Sequence, residues 1–108
     1  MPNLVERLTK AEDRISIHAF IGAFQEWGRG KVTAASVVAA FDLDAAQTSQ
    51  AQTLAALWNA APDKTTFVRV LKDLLYLGQS NVHSRYRDIT YYVSRLQDEV
   101  TDQGGTLP

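Results

Sequence analysis

The stretch Asn3–Trp27, NLVERLTKAEDRISIHAFIGAFQEW, decides how this chain is read. Leu4, Leu8, Ala11 and Ile15 recur at spacings of 4, 3 and 4, with Glu6, Arg7, Lys10, Asp13 and Arg14 outside the row. That is the spacing of a coiled-coil seam, apolar at the a and d heptad positions only. From Ile17 onward the apolar set widens to Ile17, Phe20, Ile21, Phe24 and Trp27, a face broad enough for a globular core. Asn3 and Glu6 form an N-terminal capping box, and Gly28-Arg29-Gly30 supplies the stop. The expectation is one helix from Asn3 to Trp27, coiled-coil-like at its start.

A seam of about two heptads is too short to stand alone in water. It docks on the rest of the domain, on a second copy, or on a foreign partner, and the spacing leaves all three open. Leu4, Leu8, Ala11 and Ile15 are therefore the first candidate protein-interface residues, and residues 1–16 a candidate protruding or self-associating arm.

Outward from this stretch the helical signals continue. Thr33 caps a short helix carrying Val37, Val38 and Phe41, with Val32 placed to staple onto Val37. Asp44 and Gln47 form a second capping box, opening a helix over Ala45–Ala60. Its first two turns hold only Ala, Gln, Thr and Ser and are expected to face solvent or a partner, while Leu54, Leu57, Trp58 and Ala61 face the core. Asp63 caps a fourth helix from Lys64 to Leu77, whose wide apolar arc makes it central, with Gly78 as its C′ residue. After a loop at 79–83, Ser84 caps a fifth helix to Val100. Ile89, Val93, Leu96 and Val100 on it are the second set of candidate interface residues. Residues 101–108, with Gly104-Gly105, read as a flexible tail. The fold class is all-α: a compact bundle of about five helices in one domain over residues 1–100, the first and last helices serving as arms.

Composition narrows the function. The chain has 108 residues, 45% of them hydrophobic and 21% charged, enough for one cooperative core. Its net charge of −1 gives no field to gather nucleic acid or an anionic membrane. Cysteine is absent, which removes disulfides, thiolate metal sites and cysteine nucleophiles together. Residues 1–20 carry six charges and hold no apolar signal-peptide core, and no apolar run reaches the roughly 20 residues a bilayer needs. The chain reads as soluble.

Chemical motifs are weak throughout. His18 and His83 lack ligand-type neighbours at helical spacing, so no cofactor or metal is expected; His18 extends the seam and could make an assembly pH-sensitive. Asp42 and Asp44 lack the remaining ligands of a calcium loop and read as turn and cap. No serine sits in Gly-x-Ser-x-Gly, and Gly28-Arg29-Gly30-Lys31 is not a phosphate loop. The chain is expected not to be an enzyme. The alternative is a helix-turn-helix regulator built on the second and third helices. Charge argues against it, because Val32–Asp63 contains no Lys or Arg to pair with phosphates. Arg85, Tyr86 and Arg87 are the one locally basic aromatic patch, read as a solvated helix start.

Residues 33–44 (TAASVVAAFDLD), the polar-to-apolar helix after them, and residues 67–78 (FVRVLKDLLYLG) resemble small all-helical accessory proteins of the virions of tailed bacteriophages. The likeness covers residues 4–78; the Tyr91-Tyr92 helix departs from the pattern. It implies a structural subunit present in many copies in a phage head or tail, found in the virion or host cytoplasm. Its implied partners are protein: copies of itself and other structural subunits.

Overall fold

The computed structural model describes residues 2–10, 15–80 and 83–108. Among them are six α-helices: α1 (Leu4–Thr9), α2 (Ile17–Gly28), α3 (Ala34–Phe41), α4 (Ala45–Ala60), α5 (Lys64–Ser80) and α6 (Ile89–Asp102). A 3-10 turn, Ser84–Arg87, precedes α6. The all-α expectation holds, and local signals placed most helix starts correctly. Asn3 Oδ1 accepts from the Glu6 N–H at 2.9 Å, and Glu6 Oε1 accepts from the Asn3 N–H at 3.2 Å. Thr33 caps α3, and Asp44 with Gln47 forms the reciprocal box on α4. Asp42 takes the left-handed conformation, φ 52°, in the turn between them.

The first expected helix is two. Lys10 leaves helical geometry at φ −90° and ψ 126°, and Ser16 restarts it as an N-cap whose hydroxyl accepts from the Ala19 N–H. Ala11 and residues 12–14 lie outside the described residues. Heptad spacing runs on across this break, so periodicity could not reveal it. A serine at an N-cap offers the backbone an alternative partner, and that competition is what the spacing ignores.

The break lets both apolar sets enter one core. Leu4, Val5, Leu8 and Thr9 of α1 are buried, and so are Ile17, Phe20, Ile21 and Phe24 of α2. With Val5 and Thr9 included, α1 buries a broad face rather than a two-position seam. It packs on α4, α5, α6 and the 3-10 turn. A radius of gyration of 12.9 Å is that of one compact domain, about 13 Å at this length, with no protruding arm over the described residues.

α4 receives α1 through amides. Gln50 Oε1 accepts from the Leu4 N–H at 2.8 Å, meeting a free donor of the first turn of α1. Gln47, 2% exposed, donates to the Pro2 carbonyl at 2.7 Å and accepts from Arg7 at 3.1 Å. One side of the polar turns expected to face solvent or a partner therefore faces α1 of the same chain. Ala51, fully buried, allows the close approach.

At the other end of the core, Phe20 and Phe24 stack, and Phe24 meets the Trp58 ring edge-on at 6.3 Å. Gly28 closes α2 where a Cβ would stand 2.5 Å from that ring. The Trp58 indole N–H is buried with no acceptor among the described residues, but Arg29 and Lys64 approach its ring to 5.7 and 5.5 Å. Its polar contacts are thus made through the π face.

Three boundaries near the C-terminus differ from expectation. α5 runs to Ser80, so Gly78 is an interior helix residue and not the C′ position. Asp88, not Ser84, caps the last helix. Residues 101–105 are not a tail: α6 extends to Asp102, Gly104 turns at φ 83°, and the Gly105 N–H returns to the Val100 carbonyl. This is a Schellman-type stop. Gln103 then pins it by donating to the Asp63 carbonyl and accepting from the Asp63 N–H.

Candidate interaction surface

Four of the eight residues singled out as interface candidates lie in the chain's own core. Leu4, Leu8, Leu96 and Val100 are at most 1% exposed. Ile15, Ile89 and Val93 are half-buried and packed against the same cluster, and Ala11 is outside the described residues. The structure brings the two sets together, since α1 touches α6, but as core and not as a surface. The spacing of the α1 stripe leaves docking within the chain, on a second copy or on a foreign partner open. Leu4 and Leu8 take the first of these, covered by their own chain.

What remains exposed and organised lies at the junction of α5 and α6. The Arg85 carbon Cζ sits 4.9 Å from the Tyr86 ring centre and 5.6 Å from that of Tyr91. Arg85 Nη2 donates to the Tyr86 hydroxyl at 2.9 Å, and this bond holds the guanidinium protonated above its ordinary range. Tyr86 and Tyr91 meet edge to face at 6.0 Å, and His83 packs edge-on to Tyr86 at 6.3 Å. His83 Nδ1 accepts from the Arg85 N–H at 3.3 Å and so caps the turn that presents the arginine.

A buried layer fixes this turn from below. The Tyr92 hydroxyl, in the core, lies 2.6 Å from the Leu74 carbonyl and 2.8 Å from the Tyr86 carbonyl, either of which accepts its proton. Burial pushes that hydroxyl well above the usual tyrosine range, so it stays a donor. Gly78 makes the approach possible: a Cβ there would stand 2.5 Å from the Tyr86 carbonyl oxygen and 2.6 Å from Thr9 Cγ2. Arg87 Nε donates to the Gly78 carbonyl at 3.0 Å, and Asn3 Nδ2 donates to the Arg87 carbonyl at 3.1 Å. Beside the turn is a recess of about 470 Å³ lined by Asn3, Glu6, Lys10, Ser84, Arg87 and Asp88, with both signs of charge.

Elsewhere the surface is less organised. Tyr76 and Leu77 of α5 are 40% and 42% exposed. The Tyr76 hydroxyl meets His18 Nε2 at 2.8 Å, so His18 ties α2 to α5. Among the described residues no three His, Cys, Asp or Glu side chains are grouped to hold a metal. None of the helices described is long and apolar enough to cross a membrane.

In sequence, Arg85-Tyr86-Arg87 has the look of a solvated helix start. Tyr91 and His83 carry no such signal, because both join the cluster only when the chain breaks at Asp88 and the 3-10 turn forms. The aspartate at 88, able to accept from the Thr90 N–H, was the available signal. No family model, no curated protein and no solved structure matches this chain.

Proposed function

We propose that this chain is a non-catalytic, protein-binding structural subunit, and that it meets its partner through the surface formed by His83, Arg85, Tyr86 and Tyr91. The carrying observation is that exposed Arg85 and His83 and half-buried Tyr86 and Tyr91 form one cluster, on a turn tied from below to the Tyr92 hydroxyl and packed close against Gly78. Tyr and Arg are the residues that concentrate binding energy in protein interfaces, and a side chain fixed before contact loses less entropy on binding. The resemblance to virion accessory proteins supplies the setting: a multi-copy component of a phage head or tail, with another structural subunit as partner.

Capture of interacting proteins by the intact chain, compared across surface variants, tests this. Proteins held by the wild type and by Leu77→Ala, but lost from Tyr86→Ala with folding intact by circular dichroism, support the surface. The same set held by all three contradicts it.

A further inference from the structure

We infer that the Arg85–Tyr86–Tyr91 cluster recognises a carboxylate, the side chain of an Asp or Glu on the partner protein. This deepens the interaction reading above and rests on it. Arg85 is the cation that the surrounding structure prepares. One of its N–H groups is committed to the Tyr86 hydroxyl, and no acceptor among the described residues takes the others. Two rings within 6 Å of Cζ limit where the guanidinium can swing. A guanidinium offers parallel N–H donors in a fixed fork, and a carboxylate is the planar acceptor that matches it with two bonds.

The surrounding charges select a carboxylate over a phosphate. Lys10 and Arg87 line the neighbouring recess, but Glu6 and Asp88 line it too, and Lys10 already pairs with Glu6 at 3.7 Å. Arg87 has its Nε on the Gly78 carbonyl. One prepared cation in an otherwise balanced field suits a single negative charge. A phosphodiester chain would need several cations in a row to gain from counterion release, and here the acids interrupt them. The Tyr86 and Tyr91 rings flank the arginine with apolar surface, so the acidic residue fits best within a segment that also carries an apolar neighbour.

The test uses the full-length protein labelled with ¹⁵N and titrated with an acetylated, amidated peptide alternating glutamate and leucine. The peptide with glutamine in place of glutamate is the control. The glutamate peptide is expected to shift the backbone signals of residues 84–91 and the Arg85 Nε signal, and the control is not. Arg85→Gln is expected to weaken binding at least roughly tenfold, and Arg85→Lys to recover only part of it, because an ammonium lacks the fork. Unchanged thermal midpoints show that both variants fold. Equal shifts with the glutamine peptide, or equal affinity of Arg85→Gln, would overturn the inference. So would tighter binding of a phosphoserine peptide or of oligo-dT at the same residues. Should Tyr86→Ala still lose partner capture while Arg85→Gln keeps both capture and peptide binding, the surface stands and the carboxylate does not.

Discussion

Segments 2–10 and 83–91 lie against each other, joined by the Asn3 side chain and the Arg87 carbonyl, and use their residues in opposite ways. The first is a six-residue helix that puts Leu4, Val5, Leu8 and Thr9 inside. The second is a 3-10 turn with no residue buried, followed by the half-buried Ile89 and Tyr91 and the core residue Tyr92. Segment 2–10 looks like a binding element in sequence because its apolar spacing is conspicuous. Segment 83–91 reads in sequence as the end of a loop and the solvated start of a helix. Apolar periodicity reports that a face is covered, and it is silent on whether the cover is the same molecule. A surface that binds others must stay open and stay fixed, and neither property has a period.

If that contrast is right, truncating the first segment should cost far more stability than truncating the second. Leu8→Ala is expected to have the largest effect. It removes a fully buried side chain, at about 2–5 kcal/mol, and should lower the thermal midpoint by more than about 10 °C. A shift of only a few degrees would mean that α1 is not core. Gly78→Ala should come next, destabilising by about 1–3 kcal/mol through overpacking against the Tyr86 carbonyl. Read by calorimetry, a neutral or stabilising result would show that the 3-10 turn is free to move off α5. Arg85→Gln should come last, with an unchanged midpoint in the same scan. A large loss there would make Arg85 a structural residue and weaken the contrast.

Much of the fold was legible because its signals are local. Asn3 with Glu6, Thr33, and Asp44 with Gln47 each announce a helix start within four residues, and Pro62 marks the end of α4. What could not be read depends on distant chain. Nothing near Gln47 and Gln50 says that their amides will meet Pro2 and Leu4, more than forty positions away. Gly78 carries the signature of a helix stop, yet the glycine is there so that Tyr86, Thr9 and Tyr92 can crowd one spot. The candidate surface was half visible as Arg85-Tyr86-Arg87. Its other half needed the break at Asp88, which brings Tyr91 beside Tyr86 instead of further round a continuous helix.

The most direct test of whether α1 belongs to its own chain is amide hydrogen exchange at Lys10, whose N–H bonds the Glu6 carbonyl at 3.0 Å, followed over protein concentration. A hundredfold dilution should leave its protection unchanged, matching that of amides in α2, with the mass staying at 12.0 kDa in sedimentation. Protection that fades on dilution, together with a heavier species at high concentration, would mean that α1 is held by a second copy.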